Sequence, residues 1–310
     1  MQKTQRPILL VALGGNALIR KGQKGTVDQQ FKNLVLPIRQ IARLSQDYRI
    51  IITHGNGPQV GNLLLQQESC AEVPKLPLEI LVAQTQGQIG YMIESTLDSQ
   101  LMDLGVHVKP LTSLITYVVV AETDPAFAKP SKPIGPAYKS KNDAPPGYPV
   151  AKTARGYRRV VVSPQPVTII EKREIKKLIM ADFIVICCGG GGIPVVREGR
   201  AFQGVDAVID KDLASAKLAE EVGVDIFVIA TDVDGVALNY GTAEEKFLRH
   251  LNSRTATQLL GEAHFAAGSM RPKVEASVQF VREGGKRAVI TSIEAIESAV
   301  KGEAGTEITL

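Results

Sequence analysis

The feature that most constrains the fold is an apolar run, residues 183–188, that leads directly into Gly189, Gly190, Gly191 and Gly192. A short apolar run of this kind predicts a buried strand. Because glycine has no Cβ atom, peptide N–H groups in such a loop can approach a ligand closely, and a nearby helix start adds partial positive charge. We therefore predict that the four glycines hold phosphate. The alternative, a mobile turn, is disfavoured because ordering four glycines costs much conformational entropy.

Two helical patterns further along begin with charged residues. Asp210, Lys211 and Asp212 stand at the start of the first, and Pro272 and Lys273 stand at the start of the second. Proline is well suited to the first turn of a helix, and a helix N-terminus attracts anions. Both lysines are thus expected where a phosphate would dock.

Two earlier strands end in loops of glycine and asparagine. The apolar runs 7–13 and 48–53 are typical of strands in a parallel sheet. Ligands of open α/β sheets bind beyond the carboxyl ends of the strands, and glycine amides and asparagine side chains can hold a carboxylate without adding charge. We interpret His54, at the end of the second strand, as a residue satisfied by the backbone rather than as a base. The loop residues predicted to bind are Gly14, Gly15, Asn16, Gly55, Asn56 and Gly57.

A further strand, residues 225–230, ends in an acidic loop with Asp232 and Asp234. Their carboxylates can accept hydrogen bonds from ribose hydroxyls or from water around Mg²⁺, although paired aspartates also form stable turns. Tyr240, close behind, either packs against a base or lies in the core.

The composition changes between residues 122 and 159, a segment that we call the flap. It is rich in proline and glycine, and it carries eight Lys and Arg against three Asp and Glu. So long a connection inside a compact domain is usually a functional loop or lid. A basic flap that contains Lys132 would screen charge beside a phosphate site; the alternative is a solvated linker.

Composition excludes several classes of protein. The 310 residues carry a net charge of +4 without a basic stripe, so neither nucleic acid nor a membrane surface is an expected partner. No apolar run approaches the roughly 20 residues that a transmembrane helix needs. Three cysteines make no disulfide framework, which favours a cytoplasmic location, and any metal is expected to be Mg²⁺ carried by phosphates. The expected partners are small molecules.

Alternation of strand and helix patterns predicts an α/β fold: a three-layer αβα sandwich on an open, mainly parallel sheet, with a small protruding lid subdomain at about 122–159. Glutamines 84, 86 and 88, inside one helical pattern, are expected on a solvated face. Further helices are predicted at 31–44, 61–67, 78–104, 169–180 and 293–300, and further strands at 106–110, 115–120, 160–162 and 287–291.

The residue types in these loops indicate phosphoryl transfer. The chain lacks a GxxxxGK[ST] loop, a GxGxxG fingerprint and a nucleophile elbow. A transferred phosphoryl group needs positioning and positive charge more than covalent help. Lys132, Lys211 and Lys273 can supply that charge.

Nine blocks in order along the chain resemble carbamate kinase, of the amino acid kinase superfamily. The blocks are ALGGNALI (12–19), THGNGPQVGNLLLQ (53–66), AQTQGQIGYM (83–92), KPIGP (132–136), GYRRVV (156–161), GGGGIPV (189–195), GVDAVIDKDLA (204–214), TDVDGVALNYG (231–241) and GSMRPKVEA (268–276). A single block is a weak signal, whereas nine collinear blocks are a specific one.

The resemblance implies a homodimeric enzyme that catalyses ATP + carbamate = ADP + carbamoyl phosphate with Mg²⁺, often in reverse to make ATP during arginine breakdown. It implies an N-terminal lobe, 1–180, that binds carbamate or carbamoyl phosphate through the glycine and asparagine loops. Lys132, Lys211, Asp212 and Lys273 match catalytic residues, with Asp212 orienting the lysines. The C-terminal lobe, 181–310, would bind ATP or ADP through Gly189, Gly190, Gly191, Gly192, Asp232, Asp234, Tyr240, Met270 and Pro272.

One departure from the family pattern lies in the flap, where many relatives carry a longer acidic insert than the short segment 138–155. Two alternative functions therefore stay open at this point. One is a kinase of another small carboxylic acid on the same fold, and the other is a nucleotide-binding regulator without turnover.

Overall fold

A computed structural model describes residues 6–106, 109–153, 156–265 and 269–310. The helices are α1 (Val27–Leu44), α2 (Gly57–Glu68), α3 (Leu78–Asp103), α4 (Lys172–Met180), α5 (Lys211–Val222), α6 (Ser253–Gly261), α7 (Met270–Arg282) and α8 (Ile296–Val300). The strands are β1 (Ile8–Leu13), β2 (Arg49–His54), β3 (Leu111–Ser113), β4 (Tyr117–Val120), β5 (Lys132–Tyr138), β6 (Val150–Thr153), β7 (Gly156–Val161), β8 (Pro166–Ile169), β9 (Ile184–Ile186), β10 (Ile193–Glu198), β11 (Ala201–Gly204), β12 (Ile226–Thr231), β13 (Val236–Leu238), β14 (Lys246–Leu248), β15 (His250–Asn252), β16 (Arg287–Ser292) and β17 (Thr306–Thr309).

Eight strands form a central sheet in the order β15-β17-β16-β12-β1-β2-β9-β3. All neighbouring pairs run parallel except β16 and β17. The central strands are unbroken apolar runs because both of their faces are covered. The predicted open, mainly parallel sheet is confirmed.

Alternate residues of β1 enter two different cores, one on each face of the sheet. Leu9 and Val11 pack in the core that contains residues of α1, α3 and α8. Leu10 and Ala12 pack in the core that contains residues of α4, α5, α6 and α7. Since side chains alternate across a strand, this division builds the three-layer αβα sandwich that the alternating pattern predicted.

The remaining strands form three small sheets, a four-stranded β11-β10-β4-β8, a three-stranded β5-β7-β6 and the hairpin β13-β14. The three-stranded sheet lies within the flap and its exit, so a segment with little apolar periodicity is largely ordered by strand pairing. No helix of the described residues is both long and apolar enough to cross a bilayer.

Several predicted boundaries differ from the observed ones. The helix predicted at 169–180 begins only at Lys172, because Pro166–Ile169 is a strand that pairs with β4. The strand predicted at 106–110 falls partly on residues 107 and 108, outside the described residues, and the observed strand is Leu111–Ser113. The hairpin of β10 and β11, helix α6 and strand β17 were not predicted.

The buried side chain of Arg159 links residues of the flap to each other and to α2. Its guanidinium donates to a carboxylate oxygen of Glu68 in α2 at 2.6 Å and to the carbonyl oxygens of Pro145 and Pro146 at 3.2 and 2.8 Å. It also lies 5.6 Å from the centre of the Tyr148 ring. Because its side chain is only 4% exposed, these partners supply the hydrogen bonds that a buried charge requires.

The flap packs against α2 at two glycines. A Cβ atom added to Gly61 would collide with the backbone of Gly135 in β5, which itself has a φ of +66°. Close approach of helix and strand here therefore depends on a missing side chain. By contrast, nothing lies within 4 Å of a Cβ atom added to Gly87, which is exposed in α3.

These two helical glycines give a matched pair of variants. We expect Gly61→Ala to lower the free energy of unfolding by about 1 to 3 kcal/mol, because α2 and β5 must separate. Gly87→Ala should raise it by up to about 1 kcal/mol, because alanine has the better helix propensity. Urea unfolding of both variants checks this, and equal effects would contradict the packing described for Gly61.

Candidate active site

Three neighbouring strands of the central sheet end side by side and bring three predicted loops together. After β1, the Gly14 N–H donates to the carbonyl oxygen of Ala230 in β12 at 2.8 Å. After β2, the Gly55 N–H donates to the carbonyl oxygen of Leu13 at 3.0 Å. Asp232 follows the end of β12 at the same edge. The loops predicted on separate strands are thus joined by hydrogen bonds.

Glycine is required where these loops meet their neighbours. A Cβ atom at Gly14 would lie 2.9 Å from the carbonyl oxygen of Ala230, and one at Gly55 would lie 3.2 Å from Cδ of Lys211. Gly15 and Asn16 form a half-buried 3-10 turn, and Gly57 begins α2. The side chain of Lys211 therefore passes directly beside the second loop.

The side chain of Asn56 is 2% exposed and is held from the scaffold. Its Nδ2 donates to Oγ1 of Thr85 in α3 at 2.9 Å, and that hydroxyl donates to the carbonyl oxygen of Val82 at 2.7 Å. These hydrogen bonds fix the orientation of the Asn56 side chain, so the loop after β2 is held in one conformation.

Helix α5 begins at the site, and its first residues are anchored on both sides. Asp210 caps the helix by accepting a hydrogen bond from the Asp212 N–H at 2.9 Å. One turn later, Oγ of Ser215 donates to the Lys211 carbonyl oxygen at 2.6 Å and lies 2.7 Å from Oγ1 of Thr53 in β2. These contacts fix the start of α5 against the end of β2.

Asp212 is shared by two lysines from two helices. One carboxylate oxygen pairs with Nζ of Lys211 in α5, and the other accepts from Nζ of Lys273 in α7 at 2.9 Å. The side chain of Asp212 is 3% exposed. Burial alone would raise the pKa of Asp212, but the two lysine charges outweigh it and hold the pKa well below its usual range.

The two lysines are not electrostatically equivalent. Burial, with the nearby charge of Lys273, lowers the pKa of Lys211 although Asp212 opposes the shift. Burial would also lower the pKa of Lys273, but Asp212 and Asp210 raise it above its ordinary value. The charge of Lys211 is therefore less well compensated than that of Lys273. A bound anion would stabilise the charged form of Lys211 more than that of Lys273.

Lys132 reaches the same place from the flap. Its Nζ pairs with Oδ2 of Asp210, at the cap of α5. Burial would raise the pKa of Asp210, but the charge of Lys132 outweighs it and lowers the pKa. The three predicted lysines and Asp212 are thus brought into one cluster with Asp210, in which three cations pair with two carboxylates, and the exposed Asp232 also acts on Lys273.

Asp210 was not among the predicted site residues, although it precedes the predicted helix start. The signal was present, because aspartate directly before a helix is a preferred cap. Its second role, as the partner of Lys132 from 78 residues away, has no local sequence signal.

The glycine run lies beneath the loop after β2. All four glycines are buried, and the turn is well defined, with positive φ at Gly190, Gly191 and Gly192. A Cβ atom at Gly190 would collide with the side chain of Asn56. The amides of Gly191 and Gly192 donate to carbonyl oxygens of the same turn at 3.1 and 3.0 Å. The run therefore supports the loop that carries Asn56, and its contact with nucleotide phosphates stays a prediction.

His54 is 1% exposed at the end of β2, and its Nδ1 lies 3.2 Å from the Gly55 carbonyl oxygen. Burial lowers its pKa to about 4, with a smaller contribution from Lys211. A Cβ atom at Gly189 would collide with its ring. The histidine is therefore neutral and satisfied by the backbone, as predicted.

Gln86 does not lie on a solvated face, unlike Gln84 and Gln88. It is 2% exposed; its Oε1 accepts from the Thr116 N–H at 2.9 Å and its Nε2 donates to the Thr116 carbonyl oxygen at 3.1 Å. Oγ1 of Thr116 in turn accepts from the Cys188 N–H at 2.6 Å. Gln86 thus supports the start of the glycine run, which the helical pattern alone did not indicate.

The other residues predicted to contact nucleotide follow β12 and β13 or begin α7. Asp232, Asp234 and Tyr240 are exposed, and the Tyr240 side chain, beyond β13, is 68% exposed. Met270 and Pro272 are half-buried in the first turn of α7, whereas Gly268 of the same block lies outside the described residues. Their roles in nucleotide binding stay predictions.

Comparison with known proteins identifies relatives over the whole chain. The amino acid kinase family model matches residues 7–292. Carbamate kinase of Thermococcus kodakarensis is 47% identical over 310 residues, which cover 97% of this chain and 98% of the relative. Carbamate kinase from Giardia lamblia bound to citric acid superposes with a TM-score of 0.92 at 38% identity, covering 98% of both chains. The same enzyme bound to AMP-PNP gives a TM-score of 0.88 at 38% identity, again covering 98% of both chains.

The buried histidine makes stability depend on pH. Between the pKa of about 4 in the folded chain and the ordinary value of 6.5, only the unfolded chain binds the proton. The stability contribution is therefore complete above pH 6.5 and is lost as the pH falls toward 4, by up to about 1 kcal/mol per pH unit. His54→Gln should show a smaller slope across this interval in urea unfolding. His250→Gln, at an exposed histidine of β15, is the control and should keep the wild-type slope; an unchanged slope in the His54 variant would contradict the assignment.

Proposed function

The chain belongs to the amino acid kinase family and is a carbamate kinase, and from that premise we propose that it catalyses the reversible, Mg²⁺-dependent reaction ATP + carbamate = ADP + carbamoyl phosphate. The observation that carries the proposal is the cluster of Lys132, Lys211 and Lys273 with Asp212, beside the loops after β1 and β2. An excess of buried positive charge next to amide donors suits the transfer of a phosphoryl group between two anions.

The transfer needs no base from the protein. A carbamate oxygen, already anionic, forms a bond to the γ-phosphorus, and the bond from that phosphorus to the β,γ-bridging oxygen breaks. ADP leaves with that oxygen and its electron pair, and no proton moves. This agrees with a site whose histidine, His54, is buried and neutral.

The lysines would stabilise the charge that spreads over the phosphoryl oxygens in the transition state. Lys211 is well placed to do so, because its charge is less well compensated than that of Lys273. Asp212 keeps Lys211 and Lys273 at a fixed separation. A prearranged pair needs little reorganisation when the phosphoryl group passes.

The acid would bind between the loops after β1 and β2. Gly15, Asn16, Asn56 and Gly57 would supply the amide groups that hold it at this edge of the sheet, whereas the N–H groups of Gly14 and Gly55 donate to Ala230 and Leu13 and bring the loops together. Amides hold a carbamate or carbamoyl group through neutral hydrogen bonds, so the lysine charge stays available for phosphate. This arrangement favours a planar, singly charged carbamate as the acceptor.

The nucleotide would bind on the other side of the lysines, along Asp232, Asp234 and Tyr240 and the start of α7. In the described ranges, no three histidine, cysteine, aspartate or glutamate residues form a group that could hold a metal. Mg²⁺ that enters with ATP takes most ligands from phosphate and water and needs only one or two carboxylates. Asp232 and Asp234, both exposed, fit this requirement, and the bound ion would neutralise phosphate charge.

We also propose a location, an oligomeric state and a division into two lobes for the enzyme. It would act in the cytoplasm as a homodimer, with residues 1–180 as the acid-binding lobe and 181–310 as the nucleotide-binding lobe. Its physiological direction would be ATP synthesis in arginine catabolism or the supply of carbamoyl phosphate.

The reaction is tested directly with purified protein, Mg²⁺, ADP and carbamoyl phosphate. ATP formation is the expected result, and its absence would overturn the proposal. Acetyl phosphate and the acyl phosphates of aspartate and glutamate derivatives form the comparison panel. ATP formation from one of these, without any from carbamoyl phosphate, would assign the enzyme a different acid.

Lys211→Met should separate catalysis from folding. Loss of the charge should lower the rate of ATP formation by about 10²-fold, which corresponds to about 3 kcal/mol. The free energy of unfolding should fall as well, because Asp212 loses one of its two buried partners, and urea unfolding measures that loss separately from turnover. Lys217→Ala, at a half-buried lysine further along α5 that pairs with Glu220, is the control and should keep wild-type turnover. Normal turnover in Lys211→Met would exclude the proposed role.

A further inference from the structure

The carboxylate of Asp210 has two separate partners. Oδ1 accepts the hydrogen bond from the Asp212 N–H that caps α5, at 2.9 Å. Oδ2 pairs with Nζ of Lys132, the first residue of β5 in the flap. One carboxylate therefore joins the flap to the helix end that carries Lys211.

Backbone pairing brings these two side chains together. Beside Lys132, the Ser131 N–H donates to the Val161 carbonyl oxygen at 3.0 Å, at the end of β7. One residue later, the Val162 carbonyl oxygen accepts from the Val208 N–H at 3.0 Å, two residues before Asp210. The exit of the flap and the entry to α5 are thus hydrogen-bonded to each other within two residues of Asp210, and the start of β5 is bonded to the same exit beside Lys132.

From this geometry we propose that Asp210 is a positioning residue for phosphoryl transfer, which holds the flap lysine, Lys132, at the N-terminus of α5 beside Lys211 and Lys273. The inference rests on the proposed carbamate kinase reaction. A lysine side chain has four rotatable carbon–carbon bonds and a strongly hydrated charge, so an unpaired Lys132 would spend much of its time in solvent. Asp210 also lies between like charges that would otherwise repel one another.

The alternative role for Asp210 is that of a helix cap alone, and the two roles respond differently to substitution. Asparagine caps helices as well as aspartate does, so Asp210→Asn keeps the cap and removes only the charge that holds Lys132. Asp210→Ala removes both. If only the cap matters, Asp210→Asn should behave as wild type and Asp210→Ala should lose stability.

A double-mutant cycle of Asp210→Asn and Lys132→Met, assayed as ATP formation from ADP and carbamoyl phosphate, tests the pairing. Asp210→Asn alone should lower kcat by about tenfold, as expected for a coupled charged pair. In the Lys132→Met background, the same substitution should change kcat by less than about twofold. An equal loss in both backgrounds, or wild-type kcat in Asp210→Asn, would overturn the proposal.

A second measurement does not depend on turnover. Hydrogen exchange of the β5 and β7 amides should be faster in Asp210→Asn than in wild type, while the amides of α5 keep their protection because the cap is retained. Asp143→Asn, at another flap carboxylate that accepts from a backbone N–H, is the control and should leave β5 near the start of the flap unchanged. Unchanged exchange at β5 and β7 in Asp210→Asn would also overturn the proposal. If the wild type makes no ATP, the proposed function is wrong, and the exchange result still decides whether Asp210 holds the flap.

Discussion

The candidate active site depends on one buried carboxylate that is shared by two lysines. Asp212 is almost fully enclosed, and each of its oxygens contacts a lysine from a different helix. Removing one partner from a buried charged group of this kind typically costs about 3 to 5 kcal/mol, so the arrangement is strongly constrained. Because Lys132 adds a third cation and Asp210 only one more carboxylate, the paired groups carry an excess of positive charge, which Asp232 offsets only through a solvent-exposed carboxylate that acts on Lys273. The site is therefore arranged for an anion rather than neutralised in advance.

The fold keeps these charged side chains together because three strands end, and α5 begins, at the same edge of the central sheet. Strands β12, β1 and β2 are neighbours and run parallel, so their carboxyl ends lie together, and α5 begins at the same edge. The positive ends of helix dipoles add to the lysine charge there. Close contact between the loops then requires small residues, and Gly14 and Gly55 provide them. The parallel strands bring the loops to one edge of the sheet, and the glycines let those loops come into contact there.

Much of the fold could be predicted from the sequence because its signals are local. The apolar runs of β1, β2 and β12 and the helical pattern of α1 and α3 need only neighbouring residues to be recognised. The hairpin of β10 and β11 was missed because it is half exposed, so its apolar alternation is weak. The prediction that Gln86 lies on a solvated face was wrong, because its side chain is buried and its hydrogen bonds are made to Thr116. The helical periodicity of the sequence does not reveal that partner. In the same way, the lysines were found by their residue type and neighbours, whereas the pairing of Lys132 with Asp210 is a long-range contact.

The segment 138–155 of the flap has less bearing on the position of Lys132 than its sequence first indicates. Lys132 is the first residue of β5 and Tyr138 is its last, and the segment that we expected to be shorter than in many relatives begins after Tyr138. A span of six residues, irregular between Ile134 and Tyr138, separates these two residues by up to roughly 20 Å. Arg159 anchors the carbonyl oxygens of Pro145 and Pro146 to the body of the protein through Glu68. The length of the segment can therefore change at the far end of the flap while Lys132 stays at α5, so the choice of acceptor should lie with the loops at Gly14 and Gly55.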